Sequence, residues 1–196
     1  MRVRLRPPHS PAELADLYAV PHEHTGWPDH RLRVAETIGL GRELMGLSGH
    51  PVIIADLSCG DAVIPRDLIG YSKAPAKRVI LGDIAPGYEL QGPIEQTLDQ
   101  LTQVGLFVCS ETIEHLDDPD TVLRKIRGKA ATLLLSTPLG ETTSRNPEHY
   151  WGWDDADVEG MLRVAGWVPV LSRIVSYRPG RDEEFMPADY QLWGCG

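Results

Sequence analysis

The chain has 196 residues, of which 42% are hydrophobic and 24% are charged, a composition typical of a globular protein with a single core. Its net charge of −9 at pH 7 disfavours a broad nucleic-acid or anionic-membrane surface, because such a surface needs clustered Lys and Arg. No apolar run approaches about 18 residues, so we expect no membrane-spanning helix.

The cysteine content indicates a reducing compartment. Cys59, Cys109 and Cys195 are widely separated and odd in number, which favours reduced thiols over a disulfide framework. The basic N-terminus is not followed by an apolar stretch, so it does not predict a secretory signal. We therefore expect a cytoplasmic protein.

Residues 1–50 are predicted to form an N-terminal arm and lid helices. The proline-rich, basic segment 1–11 predicts a loose arm. Ser10 followed by proline predicts a capped helix over 11–18. Apolar residues in helical register predict a second helix over 28–47.

From residue 51 onward, predicted strands and helices alternate. The strands are expected at 52–57, 78–82, 88–91, 105–110 and 131–136, and the helices at 61–70, 95–101, 119–127 and 154–165. Such alternation predicts a parallel sheet covered by helices on both faces.

The final two predicted strands change this pattern. Strands over 167–177 and 189–195 are joined by a loop alone, which predicts an antiparallel pair. The fold class expected for residues 51–196 is therefore α/β, a doubly wound, mostly parallel seven-stranded sheet that ends in a C-terminal antiparallel hairpin.

Two strand ends predict a cofactor that contains a nucleoside. A buried apolar run ends at Asp56 and is followed by the small residues Ser58, Cys59 and Gly60, which allow a ligand to approach the backbone before a helix begins. About twenty residues later a second apolar run ends at Asp83, an acid that can accept hydrogen bonds from both hydroxyls of a ribose.

These and later segments resemble class I S-adenosylmethionine-dependent methyltransferases of the small, single-domain type. The resemblance covers residues 50–175 and rests on segments in the family's order, Asp56-Leu57-Ser58-Cys59-Gly60-Asp61-Ala62, Asp83, Glu111-Thr112-Ile113-Glu114-His115-Leu116, Ser136-Thr137-Pro138, Asn146-Pro147-Glu148-His149-Tyr150 and Ala165-Gly166-Trp167. It implies a Rossmann-like methyltransferase fold, S-adenosylmethionine as cofactor, and transfer of a methyl group.

The resemblance departs from the family pattern at three positions. Ser58 and Ala62 stand where the family has glycine, and both are less tolerant of positive φ. Pro93 stands where the family has an acid near the adenine, so Ile94 becomes the expected adenine neighbour. These departures leave open a catalytically silent methyltransferase-like protein that binds the cofactor or a partner.

The resemblance also implies a set of cofactor-binding residues. The expected contacts are Asp56, Ser58, Cys59, Gly60, Asp83, Ile84, Ile94, Ser110, Glu111 and Tyr18. Tyr18 belongs to this set because an aromatic face attracts a sulfonium cation.

Acids and histidines follow the strand at 105–110, and His115 is the expected catalytic base because its ordinary pKa lies near neutrality. In a helical turn, Glu111, Glu114 and His115 would share one face. Together with His149 they resemble the metal-binding set of the metal-dependent 2′-O-methyltransferases that cap small RNAs, and such oxygen and nitrogen donors suit a divalent cation. We expect no metal, and structural roles for the glutamates stay open.

Two further groups of side chains have predicted roles. The histidines before the core are interpreted as part of a polar lid rather than as a metal site, for which no third fixed ligand is evident, and they are His22, His24 and His30. The loop expected at the carboxyl edge of the sheet predicts substrate contacts, and these are His149, Tyr150 and Trp151.

The function that we predict is methyl transfer from S-adenosylmethionine to an O or N of a small molecule such as a sugar, nucleoside or secondary metabolite. The alternatives are a divalent-metal-dependent RNA or nucleoside 2′-O-methyltransferase and the silent binding protein. Partners other than the small acceptor are not expected, neither nucleic acid nor membrane, although the edge strands after Trp167 could pair two copies into a homodimer.

Overall fold

The computed structural model describes residues 1–20, 26–48, 52–70, 78–143, 146–179 and 188–196. His22 and His24, and most of the loop between the final two strands, lie outside the described residues. Three free, buried cysteines agree with the predicted reduced thiols.

The described residues form nine strands and six α-helices. The strands are β1 (Val3–Arg4), β2 (Ile53–Asp56), β3 (Arg78–Asp83), β4 (Leu90–Gln91), β5 (Val104–Ser110), β6 (Ala130–Pro138), β7 (Trp151–Gly152), β8 (Pro169–Tyr177) and β9 (Ala188–Cys195). The helices are α1 (Pro11–Leu17), α2 (Pro28–Ser48), α3 (Val63–Ile69), α4 (Ile94–Thr97), α5 (Pro119–Arg127) and α6 (Asp155–Val164), with 3-10 turns at Leu98–Gln100 and Ile113–His115.

Seven strands form the predicted doubly wound sheet, in the order β4-β3-β2-β5-β6-β9-β8. The first five are parallel, whereas β9 runs antiparallel to both β6 and β8. This arrangement confirms the predicted fold class and C-terminal hairpin. The chain order reverses between β2 and β5, and open α/β sheets bind ligands beyond the carboxyl ends of strands at such a point.

The sheet is buried on both faces. In the central strand β5, Leu106 and Val108 pack on the face covered by α2 and α3, while Phe107 and Cys109 pack on the opposite face. All four side chains are inaccessible to solvent or nearly so, as expected for a parallel strand whose side chains alternate between two helical layers.

One edge of the sheet is formed by β8, which among the described strands pairs only with β9. Val170 and Ile174 are exposed along this edge strand. The predicted pairing of two copies through this edge stays a prediction. No helix formed by the described residues is long and apolar enough to cross a bilayer.

The interpretation of residues 1–11 as a loose arm is wrong. β1 pairs antiparallel with β7, and the guanidinium groups of Arg2 and Arg4 lie 4.1 and 4.5 Å from the centroid of the Trp151 ring. Arg2 also pairs with Asp120, and Arg4 with Asp117. Attraction between cations and an aromatic face therefore fixes a segment whose composition alone predicts disorder.

The predicted first helix is confirmed as α1. The Ser10 hydroxyl accepts the Glu13 backbone N–H, and the Glu13 carboxylate accepts the Ser10 N–H. This reciprocal pair is a capping box, and Pro11 occupies a position that needs no N–H donor.

Candidate functional site

A cavity of about 1580 Å³ opens beyond the carboxyl ends of β2, β3, β5 and β6. Its wall includes residues at or just beyond the ends of these strands, among them Ser58, Asp83, Glu111 and Leu139. Common ligand pockets measure roughly 300–1,000 Å³, so this cavity has room for two ligands side by side.

The turn after β2 has the backbone shape that the small residues predict. Gly60 has φ of 51° and Ala62 has φ of 59°, so both adopt the left-handed conformation. Ser58 donates its backbone N–H to Asp56 Oδ1 at 3.2 Å, and its hydroxyl lies 2.7 Å from the Thr112 hydroxyl. The strain expected from replacing glycine therefore falls on Ala62.

The Asp83 carboxylate lines the cavity and is oriented by the backbone. Its Oδ2 accepts the Gly60 N–H at 2.8 Å, and its Oδ1 accepts the Ala85 N–H at 2.9 Å. A carboxylate offers about four lone-pair positions, so two remain for a ligand's hydroxyl groups. The strand end thus fixes an acceptor at the cavity wall.

Seven of the ten predicted cofactor residues line the cavity, and they are Tyr18, Ser58, Gly60, Asp83, Ile84, Ile94 and Glu111. The other three, Asp56, Cys59 and Ser110, instead line a cavity of about 10 Å³ behind the first turn. The Asp56 side chain is fully buried there, and burial raises its pKa to about 8 although the Ser58 N–H opposes the shift. These three residues support the turn from behind.

His115 lies on the cavity wall with a defined tautomer. Its Nδ1 is 3.1 Å from the backbone carbonyl oxygen of Glu148, which can only accept, so Nδ1 carries a proton. In the neutral ring Nε2 then holds the lone pair that a base requires. The Tyr18 hydroxyl lies 3.5 Å from Nδ1 and donates to Glu148 Oε2 at 3.1 Å.

Glu114 is fully buried beside this histidine. Its Oε2 accepts from the Thr137 hydroxyl at 3.0 Å, whereas Oε1 has no hydrogen-bond partner among the described residues and lies 3.9 Å from His115 Nε2. Burial, followed by the charge of Glu111, raises the pKa of Glu114 to about 8. A buried carboxylate oxygen without a partner is costly unless a proton or a cation reaches it.

Glu111 does not share a helical face with Glu114 and His115. The segment forms a 3-10 turn, and Glu111 has φ of 50°, in the left-handed region. Its Oε1 accepts from the Ser136 hydroxyl at 3.1 Å, and its Oε2 lies 3.9 Å from Arg33 Nε. Burial raises the pKa of Glu111, and Arg33 opposes that shift.

His149 is held by two side chains next to His115. Its Nδ1 donates to Glu141 Oε2 at 2.6 Å, and its Nε2 accepts from Asn146 Nδ2 at 3.0 Å. The Asn146 orientation follows from its Oδ1, which accepts the Glu148 N–H. Burial acts to lower the pKa of His149, but the bond to Glu141 and the charge of Glu114 raise it above its ordinary value.

Three of the four predicted alternative metal ligands come together. Glu114, His115 and His149 each offer a ligand atom within 4.8 Å of the others, whereas Glu111 is not part of this group. Both histidines donate Nδ1–H to an oxygen acceptor, the arrangement that orients metal-binding imidazoles. This donor set and the partnerless Glu114 oxygen fit a divalent transition metal in type, but the metal would have to displace the Asn146 amide from His149 Nε2.

Tyr150 and Trp151 are not among the described residues of the cavity wall. The Tyr150 hydroxyl accepts the His9 backbone N–H at 2.9 Å, and Trp151 Nε1–H donates to the Leu116 carbonyl at 2.9 Å. Of the predicted substrate residues, only His149 therefore reaches the cavity. His30, from the proposed lid, lines it as well.

The sequence analysis missed Arg33 and Glu141. Arg33 is 1% exposed and donates Nη1–H to the Ser110 hydroxyl at 2.7 Å, which places a buried charge behind Glu111. No local pattern signals this role, because it depends on how α2 packs on the sheet. Glu141 follows β6, so the carboxyl-edge argument used for Asp83 could have identified it.

Comparison with solved structures places this fold among known proteins. The 1,6-didemethyltoxoflavin-N1-methyltransferase of Burkholderia thailandensis, solved with 1,6-didemethyltoxoflavin and S-adenosylhomocysteine, matches with a TM-score of 0.63 and 16% identity over 97% of this chain and 91% of that chain. The N-methyltransferase NodS of Bradyrhizobium japonicum, solved with S-adenosylhomocysteine, matches with a TM-score of 0.60 and 15% identity over 94% and 96%. An S-adenosylmethionine-dependent methyltransferase of Leishmania major matches with a TM-score of 0.68 and 14% identity over 94% and 82%.

The chain therefore has the fold of class I S-adenosylmethionine-dependent methyltransferases, as its sequence resemblance predicts. No protein-family model and no curated protein matches its sequence. At these levels of identity the likeness concerns the fold, and the activity has to be argued from the site.

Proposed function

We propose that the protein is a methyltransferase that uses S-adenosylmethionine and methylates an O or N of a small molecule. The observation that carries this proposal is the cavity at the point where the strand order reverses, with the Asp83 carboxylate fixed at its wall by Gly60. The fold and the volume of the cavity support a cofactor and an acceptor bound together.

The described wall residues fit the cofactor. Asp83 would accept hydrogen bonds from the ribose hydroxyls, and the turn at Ser58 and Gly60 would face the amino-acid tail. Ile94 and Pro93 supply the apolar surface expected for the adenine. When bound, S-adenosylmethionine supplies an electrophilic methyl group on a positively charged sulfur.

His115 is the proposed base. Because Nδ1–H is donated to the Glu148 carbonyl, Nε2 can take a proton from the acceptor. Most of the rate enhancement would come from holding the acceptor in line with the methyl group, which requires no further chemistry from the protein.

Residues 1–50 are proposed to act as an arm and lid. Leu14, Leu17 and Tyr18, from α1 and the residue after it, belong to the cavity wall. The hydrogen bond between Tyr18 and Glu148 ties this segment to the loop that carries His149. A lid of this kind would exclude water from the cavity during transfer.

The decisive experiment measures cofactor affinity and methyl transfer separately in wild type and in His115→Asn. Wild type should bind S-adenosylhomocysteine in calorimetry and transfer methyl groups, while His115→Asn should keep the affinity and lose turnover by about 10²–10⁴-fold. Failure of the wild type to bind S-adenosylhomocysteine would contradict the proposal. Binding without transfer to any acceptor would instead support the silent methyltransferase-like protein.

A metal-dependent methyltransferase acting on a hydroxyl is the second candidate, favoured by the grouping of Glu114, His115 and His149. The acidic cavity wall argues against RNA as its acceptor, since RNA phosphates require cations. Activity that survives EDTA would eliminate this candidate. Loss of activity in EDTA, restored by Mn²⁺ or Zn²⁺ in wild type but not in Glu114→Gln, would establish it.

A further inference from the structure

The wall of the large cavity is mainly acidic. Its described residues include seven carboxylates and three imidazoles but no Lys and no Arg, and the carboxylates are Asp29, Asp83, Glu95, Glu111, Glu141, Glu148 and Asp189. A cleft lined by one sign of charge concentrates ligands of the opposite sign and repels ligands of the same sign.

A second observation points to a positively charged ligand. Glu114 Oε1 is buried without a hydrogen-bond partner among the described residues, 3.9 Å from Nε2 of the cavity residue His115. When Glu114 is ionised and the ring is neutral, both atoms are acceptors, so neither satisfies the other. A proton or cation beside Glu114 Oε1 would satisfy this buried oxygen.

Part of the cavity wall is apolar and exposed to solvent. Trp27 and Val20 are 60% and 70% exposed, and both line the cavity, as do Leu14 and Leu17. Exposed aromatic and aliphatic surface beside a charged pocket suits a ligand with a charged end and an apolar body.

Resting on the proposed methyltransferase function, we propose that the acceptor is a cationic amine with an apolar or aromatic body. Its nitrogen binds among the carboxylates around His115 and His149, its body lies against Trp27, and the nitrogen receives the methyl group. Phosphorylated and carboxylate-bearing acceptors are excluded by repulsion from the wall.

Every proton and electron pair in the methyl transfer step can be accounted for with the residues present. The bound ammonium gives one proton to Nε2 of His115, which lies 3.9 Å from Glu114 Oε1. The freed nitrogen lone pair forms the bond to the methyl carbon, and the electron pair of the broken carbon–sulfur bond returns to sulfur. The proton on His115 then leaves to solvent.

Three ligands that share the phenethyl group and differ in charge test whether charge or shape determines binding. Phenethylamine, phenethyl alcohol and phenethyl phosphate are titrated by calorimetry into the complex with S-adenosylhomocysteine at neutral pH in EDTA. We expect the amine to bind at least about tenfold more tightly than the alcohol, with the difference shrinking as salt is added, and the phosphate not to bind.

Carboxylates also accept hydrogen bonds from neutral hydroxyls, so the alcohol is the critical comparison. Equal or tighter binding of the alcohol or the phosphate overturns the inference, and so does a complex that binds no amine. A protein that fails to bind S-adenosylhomocysteine contradicts the proposed function itself, which is a different result. EDTA ensures that a metal held by Glu114, His115 and His149 does not mediate the binding.

Variants in which a single glutamate is replaced by glutamine test where the amine binds. Glu148→Gln and Glu114→Gln should each reduce the preference for amine over alcohol, while Glu159→Gln, on the exposed surface of α6, should leave it unchanged. Far-UV circular dichroism confirms that each variant is folded. An unchanged preference in both cavity variants would place the amine elsewhere and overturn the proposed position.

Discussion

Ala62 has a strained backbone conformation in the turn that joins β2 to α3. Among the described residues, it and Glu111 are the two non-glycine positions with positive φ; Ala62 directly precedes α3, and Glu111 directly follows β5. Alanine in this conformation costs roughly 1–2 kcal/mol, part of which glycine would remove. Strain at this edge of the sheet therefore coincides with the proposed site.

We expect Ala62→Gly to raise the free energy of unfolding by up to about 1 kcal/mol, because relief of strain exceeds the entropy that glycine adds to the unfolded chain. Urea unfolding measures the change. The matched control is Ala156→Gly on the exposed face of α6, where the same replacement should cost about 1 kcal/mol. Equal destabilisation by both replacements would contradict the strain at Ala62.

The buried Asp56 carboxyl group makes the free energy of unfolding depend on pH. Its pKa is about 8 in the folded protein and about 4 in the unfolded chain, so between these values the folded state holds a proton that the unfolded chain has released. The contribution of this group to the free energy of unfolding is therefore highest below about pH 4, falls as the pH rises, and levels off above about 8.

Asp56→Asn should remove this contribution, because the amide keeps the Oδ1 acceptor for the Ser58 N–H but does not titrate. Urea unfolding of wild type and variant across the pH range provides the test. The stability of the variant relative to wild type should increase with pH between about 4 and 8. A constant difference would show that Asp56 does not carry the proton.

At the scale of elements, the N-terminal strand depends on charge and aromatic contact. The Arg4 guanidinium lies over the Trp151 ring, and β1 pairs with β7 directly after the segment that carries His149. We expect a double-mutant cycle of Arg4→Ala and Trp151→Ala to give a coupling free energy of about 0.5–1 kcal/mol. A cycle of Arg163→Ala with Trp151→Ala, which joins residues with no such stacking, should give none.

Periodicity predicted the elements that bury many residues and failed for those that do not. The strand β5 and the hairpin β8–β9 follow from long apolar patterns, and their predicted positions agree with the structure to within about two residues. β1 and β7 contain two residues each, too few for any period to appear. The predicted helix over 95–101 is divided into α4 and a 3-10 turn.

The candidate site likewise contains residues that the sequence could predict and residues that it could not. Asp83 and Gly60 could be predicted because Asp83 ends a buried strand and Gly60 lies in the turn after another, and both strands end at the carboxyl edge of the sheet. Arg33 and the environment of Glu114 could not, since both depend on side chains brought together from α2, β6 and the loop before β7. Such contacts are set by tertiary packing, which a local pattern does not contain.

At the scale of the whole molecule, one cavity extends from the ends of β2 and β3, where we propose that the cofactor binds, to the ends of β5 and β6, where we propose that the acceptor binds. Asp83 belongs to the first end and His115 to the second. Because the cofactor would contact several elements that unfolding separates, its binding must stabilise the entire domain. The two ends can therefore be distinguished by which variant loses that stabilisation.

We expect S-adenosylhomocysteine at a hundredfold excess over its dissociation constant to raise the free energy of unfolding by about 2.7 kcal/mol and the melting temperature by about 5–10 °C. Asp83→Asn should lose most of this increase, since the ribose contact is weakened, while His115→Asn should retain it. Differential scanning calorimetry with and without ligand measures each shift. Equal shifts in both variants would show that Asp83 does not bind the cofactor, because the fixed acceptor at the end of β3 would then make no contact with it.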